Sequence, residues 1–231
     1  MTTIENNLQA MRARIAAACQ DAGRDVSQVQ LLAVSKTFPA ASVQQALDAG
    51  QRDFGENYIQ EAVAKIGELA GMPAVWHCIG PIQGNKTRLV AEHFDWAQSV
   101  DRLKIAQRLS DQRPAHLAPL QVCIQVNTDG GPTKAGVTPE ALPELARAIS
   151  RLPRLRLRGL MTIPEPAADF TSACALHARA RALFDALNAQ GLALDTLSMG
   201  MSADVEAAIH AGSTMVRVGT AIFGGRTRTT A

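Results

Sequence analysis

The 231-residue sequence lacks a strong excess of charge of either sign. Lysine and arginine number 23, aspartate and glutamate 21, and the formal net charge is +2. So balanced a chain offers no electrostatic basis for binding nucleic acid or an anionic membrane surface. The sequence also lacks any apolar stretch approaching the ~20 residues that a membrane span requires. We therefore expect a soluble protein with a small-molecule ligand.

Clustered cysteines and histidines are absent as well. The cysteines lie far apart, none forms a CxxC pair, and no secretory signal peptide is evident, which predicts reduced thiols in a cytoplasmic protein. The histidines are equally scattered, so the sequence predicts no metal site. These residues are Cys19, Cys78, Cys123, Cys174, His77, His93, His116, His177 and His210.

What the sequence does contain is a regular alternation of short β-type runs and helical stretches. A leading helix is predicted over Ile4–Ala22, where apolar residues recur at helical spacing before Gly23. Eight predicted strands, seven of them followed by a helix, come next: Val29–Ser35 with Ser42–Ala49, Asp53–Phe54 with Glu56–Leu69, Val75–Ile79 with Asn85–His93, Trp96–Val100 with Arg102–Asp111, Leu120–Val126 with Pro139–Arg151, Leu157–Met161 with Phe170–Gln190, Thr196–Ser198 with Ala203–Ala211, and Met215–Val218 with a short tail.

This alternation predicts an α/β protein with a parallel sheet. Strands separated by helices are joined by right-handed crossovers, and eight of them close into a (β/α)8 TIM barrel. The length fits one such barrel, and no linker, repeat or low-complexity stretch divides the chain. We therefore predict a single domain, residues 1–231, with an extra N-terminal helix. An open doubly wound sheet is the structural alternative.

Lys36 is the first candidate for chemistry. It follows the apolar run Leu31–Ser35, where a buried strand reaches the open rim of a barrel. An aldehyde cofactor needs a primary amine that is deprotonated part of the time, and burial that lowers a lysine pKa from about 10.4 toward roughly 7–8 provides one. The alternative is a surface lysine whose stem packs along the strand.

Three further candidates stand at or just after predicted strands. Asn57 follows a sharp turn expected at Gly55, and is either a cofactor contact or a helix cap. His77 is either a proton donor or a histidine held inside the barrel by hydrogen bonds. Met161 either packs beneath a flat ring or belongs to the core.

The last two strand ends predict an anion-binding cradle. Ser198–Ser202 runs into the helix expected near Ala203 and presents two hydroxyls and consecutive backbone N–H groups, although an ordinary serine cap is the alternative. After the eighth strand, Gly219 permits close backbone approach and Thr220 offers another donor. Phosphate sites of (β/α)8 barrels lie after strands 7 and 8.

Together these features describe a site for a flat aldehyde with a phosphate tail. Lys36 supplies the amine, the cradle binds the phosphate, and Arg217 leads into the cradle. Pyridoxal 5′-phosphate fits this description. An arginine at the pyridine nitrogen leaves that nitrogen unprotonated, because a guanidinium does not give up its proton, and this weakens the ring as an electron sink.

The ordered set of motifs resembles the YggS/PROSC family of pyridoxal phosphate homeostasis proteins over nearly the whole length. The motifs are Ala33–Lys36, Phe54–Tyr58, Trp76–Gly80 with Gln83, Asn85 and Lys86, Gly159–Met161, and Arg217–Gly224. The resemblance implies the barrel of the alanine racemase N-terminal domain, pyridoxal phosphate fold type III. It also implies an internal aldimine between the cofactor and Lys36.

The resemblance further implies which residues surround the cofactor. The phosphate is expected at Ser198, Gly200, Gly219 and Thr220. Arg217 is expected near the pyridine nitrogen. With the other candidates, the predicted cofactor-binding residues are Lys36, Asn57, His77, Met161, Ser198, Met199, Gly200, Arg217, Gly219 and Thr220.

The chain departs from the family pattern at two places. Cys78 stands where the family usually has phenylalanine or methionine, which alters packing and removes no proposed ligand. In the loop after strand 5, Gly131 stands where a glutamate commonly precedes the lysine, here Lys134. This sequence therefore lacks that glutamate at the matching place beside Lys134.

The resemblance favours a carrier over an enzyme, because known members look like carriers or regulators of free pyridoxal phosphate. Racemases of this fold use a lysine and a tyrosine on opposite faces of the cofactor, the tyrosine coming from a C-terminal β domain. This sequence ends at Ala231, and its one tyrosine, Tyr58, follows strand 2. We therefore expect a cytoplasmic monomer that holds the cofactor as a Schiff base on Lys36, with apo-enzymes as candidate partners. The alternatives are a weak amino-acid racemase or lyase, and a barrel with only an interaction role.

Overall fold

The structure is a computed structural model that describes residues 2–130 and 135–225. The expectations for Gly131, Lys134 and Ala231 concern residues outside those ranges. Everything below refers to the described part of the chain.

Eight parallel strands form a closed barrel in sequence order. The eighth strand pairs with the first, with Leu32 opposite Arg217 and Ala33 opposite Val218. This closure confirms the predicted (β/α)8 barrel, and the open sheet was the wrong alternative. The strands are β1 (Gln30–Val34), β2 (Asp53–Glu56), β3 (Val75–Cys78), β4 (Trp96–Val100), β5 (Leu120–Gln125), β6 (Leu155–Met161), β7 (Thr196–Met201) and β8 (Met215–Val218).

A leading helix precedes the barrel, and a helix connects each strand to the next. The leading helix begins with a capping box, in which Thr2 accepts the N–H of Glu5 while the Glu5 carboxylate accepts the N–H of Thr2. The helices are α1 (Thr3–Asp21), α2 (Ala40–Asp48), α3 (Ile59–Glu68), α4 (Thr87–His93), α5 (Leu103–Gln112), α6 (Leu142–Ser150), α7 (Phe170–Ala189), α8 (Val205–His210) and α9 (Thr220–Phe223).

The predicted turn at Gly55 was wrong, because β2 continues to Glu56. Gly55 pairs with Val34 of β1 and with His77 of β3. A Cβ at position 55 would lie 3.1 Å from Ile79 Cδ1, so the glycine lets this side chain pack against the strand. Here the glycine serves close packing within a strand and not a change of chain direction.

The predicted end of β7 at Ser198 was also wrong. The strand runs to Met201, which still pairs with Arg217 of β8 after a register shift. Ser198 therefore lies inside the strand and is fully buried, and α8 begins at Val205, two residues after the expected start near Ala203. The segment Ser198–Ser202, expected to form one loop, therefore lies mostly in β7, and Ser202 alone lies in the loop that follows.

The main apolar core lies between the barrel and the helices, and includes side chains from both. The barrel interior holds a smaller apolar cluster of Trp96, Cys123 and Met161. Polar side chains fill much of the remaining interior, including His77 and Arg217, which are at most 4% exposed. The barrel therefore encloses charged and hydrogen-bonding groups that need partners.

None of the helices within residues 2–130 and 135–225 has the length and apolar character required to span a membrane. In the same residues, no three histidine, cysteine or acidic side chains are grouped to hold a metal ion. The four cysteines are free thiols. Burial raises the pKa of Cys78 and of Cys123 to about 12, so both pack as neutral thiols.

Candidate functional site

Lys36 lies at the carboxyl-terminal rim of the barrel. It stands two residues beyond the end of β1, in a turn, and is half-buried. Thr37 has φ 68°, in the left-handed region that a β-branched residue seldom adopts. An unfavourable backbone conformation therefore directly follows the predicted reactive lysine.

The residue before Lys36 is anchored by a buried ion pair. The Ser35 hydroxyl donates to Glu56 Oε1 over 2.6 Å. Lys65 Nζ donates to the same oxygen over 2.6 Å and to the Ser35 carbonyl oxygen over 2.9 Å. Burial raises the pKa of Glu56, an effect that the Lys65 ammonium and the Ser35 hydroxyl oppose. Two charges of β2 and α3 thus hold the backbone beside Lys36.

The residue after Lys36 is held by the same helix. Glu61 of α3 accepts the N–H of Thr37 over 2.8 Å. Glu61 Oε1 also lies 3.6 Å from Lys65 Nζ, one helical turn away. One helix therefore anchors the chain on both sides of Lys36.

Gly200 and Gly219 mark the two halves of the predicted cradle. Gly200 has φ 92°, and a Cβ there would overlap the Cβ of Ala208 in α8. A Cβ on Gly219 would lie 3.2 Å from the carbonyl oxygen of Val34. The second half of the cradle thus touches the strand that leads to Lys36. Thr220, the next residue, is exposed.

Asp204 fixes the loop between β7 and α8. Its Oδ1 accepts the N–H of Met201 over 2.6 Å, and its Oδ2 lies 2.9 Å from Nε2 of the buried His177 in α7. Burial acts to raise the pKa of Asp204, but the hydrogen bonds with His177 and Met201 hold it below its usual value. The loop therefore keeps an ionised carboxylate.

Arg217 of β8 points its guanidinium into the barrel. Nη1 donates to Ser198 Oγ over 2.9 Å, and Nη2 donates to the carbonyl oxygen of Thr162 over 2.8 Å. No hydrogen bond of Nε occurs among the described residues. Burial lowers the pKa of Arg217 to about 10, so the group stays charged at neutral pH.

A chain of hydrogen bonds continues from Arg217 through the barrel. Ser198 Oγ lies 2.7 Å from Gln98 Oε1, Gln98 Nε2 lies 2.9 Å from His77 Nδ1, and His77 Nε2 lies 3.1 Å from Asp53 Oδ1. A guanidinium only donates, so the Ser198 hydroxyl accepts from Arg217 and donates its hydrogen bond to Gln98 Oε1. The amide of Gln98 then donates to His77 Nδ1, and His77 Nε2 donates to Asp53. This polarity assigns the histidine its tautomer.

His77 is held inside the barrel by hydrogen bonds, which was the alternative to its interpretation as a proton donor. It is fully buried, and burial lowers its pKa although the bond to Asp53 opposes this. The ring stacks on Trp96 with 5.1 Å between centroids. Both ring nitrogens are engaged by protein groups, and its contact with a cofactor stays a prediction.

The other predicted residues lie in three different environments. Asn57 follows β2, and its buried Oδ1 has no hydrogen-bond partner among the described residues, as is true of Thr162 Oγ1 after β6. α3 begins without a side-chain cap bond, so the cap alternative for Asn57 was wrong. Met161 packs with Trp96 inside the barrel, whereas Met199 belongs to the outer core.

The residues that support the site were not predicted from the sequence. A signal for Gln98 was present, because a polar residue stands at the centre of the fully buried strand β4. Asp53, Lys65 and Thr162 carried no comparable signal. Their importance depends on partners that lie 9 to 55 residues away in the sequence.

The family model described as "Alanine racemase, N-terminal domain" matches residues 6–227. A relative from Pseudomonas aeruginosa is 62% identical over 226 residues, which cover 98% of this chain and 97% of the relative. A relative from Escherichia coli is 53% identical over 229 residues and 98% of both chains. Both relatives are named pyridoxal phosphate homeostasis protein.

Two solved structures extend this similarity. PipY of Synechococcus elongatus, in its structure with PLP bound, is 39% identical with a TM-score of 0.83, over 96% of this chain and 100% of that one. An alanine racemase from Clostridium difficile is 15% identical with a TM-score of 0.75. It is matched over 99% of this chain and 58% of its own length, and at that identity the likeness shows the fold alone.

Proposed function

Because this chain belongs to the family of pyridoxal phosphate homeostasis proteins, we propose that it binds pyridoxal 5′-phosphate reversibly and takes part in the homeostasis of that cofactor as a carrier or regulator. The names of the relatives and the PLP bound to PipY support the ligand. One observation in this chain carries the proposal: Gly219, in the cradle, lies against Val34 of the strand that leads to Lys36.

Closure of the barrel creates that proximity. β7 and β8 lie next to each other, and β8 lies next to β1. The cradle glycines Gly200 and Gly219 are thus at the ends of two adjacent strands, and Lys36 is at the end of the third. This arrangement suits a ligand that carries an aldehyde at one end and a phosphate at the other.

In this proposal Lys36 holds the cofactor covalently. Its neutral Nζ adds to the aldehyde carbon and one water leaves, which gives a Schiff base. α3 keeps Lys36 in place through Lys65 and Glu61, which hold the backbone on either side. The bond is reversible by hydrolysis, as a carrier requires.

The ring position has side chains that fit a flat heteroaromatic ligand. Pyridoxal phosphate supplies an aldehyde and an electron-withdrawing ring. Arg217 uses one N–H of Nη1 on Ser198 and one of Nη2 on Thr162, and we propose that its Nε–H donates to the ring nitrogen. Asn57 Oδ1 and Thr162 Oγ1, which are buried and have no hydrogen-bond partner among the described residues, are proposed as further polar contacts of the ligand.

Arg217 favours holding the cofactor over using it. With a pKa of about 10 it donates a hydrogen bond at neutral pH and does not transfer its proton to the ring. An unprotonated ring withdraws electrons less strongly and stabilises a carbanion less well. Tyr58, the one tyrosine of the chain, is 53% exposed and lines a cavity with Gln83 and Lys86.

The covalent step is tested by spectroscopy and trapping. Purified protein mixed with micromolar pyridoxal phosphate is expected to develop the visible absorbance of a protonated imine. Borohydride should then fix the label on Lys36 alone. Lys36→Ala should abolish both signals, and Lys86→Ala, a lysine after β3, should preserve them. A wild-type protein that stays colourless would refute the proposal.

The carrier role is tested by two further assays. Loaded protein is expected to activate an apo-enzyme that depends on pyridoxal phosphate. The rate of activation should exceed the rate obtained when the cofactor first dissociates from the protein into solution. In deuterated water, a panel of L-amino acids is expected to show no protein-dependent Cα exchange. Rapid exchange would favour the racemase or lyase alternative.

The remaining expectations also stay predictions. We propose that the whole chain acts as one ligand-binding unit, as a monomer in the cytoplasm. Sedimentation velocity of the loaded and unloaded protein checks the monomer. Pull-down with apo and holo forms of the same enzyme checks for client partners.

A further inference from the structure

Helix α1 reaches both halves of the cradle with two side chains. Asn7 and Arg14 are seven residues apart, which is two helical turns, so they share one face of the helix. α1 precedes the first strand and is not a part of the repeating barrel. Its contacts with the two cradle halves therefore need a separate explanation.

Arg14 contacts the half of the cradle between β7 and α8. Its Nη1 donates to the carbonyl oxygen of Ser202 over 2.8 Å. Its Nη2 donates to Glu206 Oε2 over 2.6 Å, and its Nε donates to Oε1 of the same carboxylate. The guanidinium thus binds backbone and side chain of this segment at once.

The bond to Ser202 orients a peptide group beside Gly200. In a trans peptide the C=O and the N–H point in opposite directions. Because the Ser202 carbonyl oxygen faces Arg14, the N–H of Ala203 points away from α1. Arg14 therefore sets the direction of a backbone donor two residues from the end of β7.

The bond to Glu206 controls charge beside the cradle. Asp204 and Glu206 bring two carboxylates within six residues of Gly200, and the hydrogen bond from Arg14 holds the pKa of Glu206 below its usual value. Without Arg14 the Glu206 carboxylate is left unpaired. It then repels a phosphate dianion bound nearby.

Asn7 contacts the half of the cradle that follows β8. Its Nδ2 donates to the carbonyl oxygen of Ile222 over 2.9 Å. Ile222 and Phe223 in turn donate their N–H groups to the carbonyl oxygen of Gly219 over 2.9 and 3.0 Å. By holding Ile222, Asn7 stabilises the single turn whose first carbonyl belongs to the cradle glycine.

We propose that α1 is a brace for the phosphate cradle, with Arg14 and Asn7 as positioning residues that set the affinity for the phosphate of the ligand. The inference rests on the proposed function, since it takes the phosphate to bind at Gly200 and Gly219. Neither side chain needs to touch the ligand. The aldehyde end, at Lys36, is held by α3 and is independent of the brace.

The test compares two ligands that differ in the phosphate. Pyridoxal 5′-phosphate and 5-deoxypyridoxal carry the same aldehyde, and neither closes an internal hemiacetal. Dissociation constants for both are measured with wild type, Arg14→Gln and Asn7→Ala. Arg12→Gln is the matched control, because Arg12 lies on the same helix and donates to the carbonyl oxygen of Ala49, away from the cradle.

Arg14→Gln and Asn7→Ala are each expected to weaken pyridoxal phosphate binding about threefold to tenfold. Binding of 5-deoxypyridoxal should stay within about twofold of wild type, the usual error of such measurements. The double variant Arg14→Gln with Glu206→Gln should recover part of the loss, because it removes the unpaired carboxylate. Added salt should reduce the effect of Arg14→Gln on the phosphate ligand.

Several outcomes would overturn the brace. Equal loss of affinity for both ligands in Arg14→Gln would indicate a general structural role. No loss for either ligand, or the same loss in Arg12→Gln, would also refute it. If wild type binds neither ligand, the proposed function fails too, which the wild-type measurement shows before any variant is made.

Discussion

At the scale of single residues, Ser198 shows how a tertiary contact changes a role inferred from sequence. The family resemblance assigns its hydroxyl to the phosphate. In the structure that hydroxyl accepts from Arg217 and donates to Gln98, deep inside β7. Its donor and one acceptor position are therefore engaged within the protein. Its contact with a phosphate stays a prediction.

Substitutions at Gly200 and at Gly191 separate two costs of adding a side chain: backbone strain at positive φ and crowding against a neighbouring residue. Gly200→Ala and Gly191→Ala both place a side chain at φ near 90°, but a Cβ at 200 overlaps Ala208 whereas a Cβ at 191 meets nothing within 4 Å. We expect Gly191→Ala to lower the free energy of unfolding by about 1–2 kcal/mol. Gly200→Ala should lower it by about 1–3 kcal/mol more.

Urea unfolding measures both changes, and titration with pyridoxal phosphate measures the effect on the site. Gly191→Ala should leave ligand affinity unchanged, because the residue follows α7 on the exposed surface. Gly200→Ala should weaken it. Equal stability of the two variants would show that Ala208 moves aside.

At the scale of elements, α3 is the support of Lys36. Lys65 and Glu56 are at most 4% exposed, and both bond to Ser35. A buried ion pair is a weak source of net stability, because desolvation offsets the attraction between the charges. Breaking it is costly, since one charge is then left buried without a partner. This pair serves to hold the turn that carries Lys36.

Lys65→Met should therefore be strongly destabilising. We expect a loss of about 3–5 kcal/mol in the free energy of unfolding, because Glu56 is left buried without its cation. Lys65→Met combined with Glu56→Gln should be less destabilised than Lys65→Met alone. Lys104→Met, on the exposed face of α5, should change stability by less than about 0.5 kcal/mol.

Denaturant unfolding of these three variants gives the comparison. The rate at which pyridoxal phosphate colours the protein should also fall in Lys65→Met, because the turn beside Lys36 is no longer anchored. If Lys65→Met is as stable as Lys104→Met, the ion pair does not hold the turn.

At the scale of the whole molecule, one hydrogen-bonded chain joins five strands through the barrel interior. It runs from Asp53 in β2 through His77, Gln98 and Ser198 to Arg217 in β8. The chain places a carboxylate and a guanidinium at its two ends. The side chains of Arg217 and His77 are thereby oriented by one hydrogen-bond network.

The free energy of unfolding should depend on His77 below neutral pH. Burial lowers the pKa of His77, so the unfolded chain takes up a proton below about pH 6.5 before the folded chain does. The contribution of His77 to the free energy of unfolding is therefore fully present above that pH. It is lost as the pH falls below it, by up to about 1.4 kcal/mol per pH unit. Burial raises the pKa of Glu56, and this carboxyl acts in the opposite direction as the pH falls through that raised pKa.

Comparing the pH dependence of unfolding in wild type and in His77→Gln separates the contribution of the histidine from that of Glu56. Between about pH 7 and pH 5, stability of wild type should fall more steeply than that of the variant. Parallel curves would contradict this prediction. In wild type, NMR titration of the ring gives a second measurement, and a ring that protonates near pH 6.5 would contradict it as well.

The sequence by itself determined the barrel, because alternating strands and helices leave few ways to cover a parallel sheet. It also placed Lys36, Gly200 and Gly219 near strand ends, where the rim of a barrel lies. It failed at Gly55 and Ser198, since periodicity does not distinguish a glycine in a strand from one in a turn, or a strand end from a loop.

Only the tertiary structure decided which groups meet. Closure of β8 on β1 brings Gly219 to Val34, and Asn7 reaches Ile222 across 215 positions of sequence. Periodicity reports which face of an element is buried and is silent about its partner. Register, closure and the packing of α1 and α3 choose those partners, and with them the surroundings of Lys36.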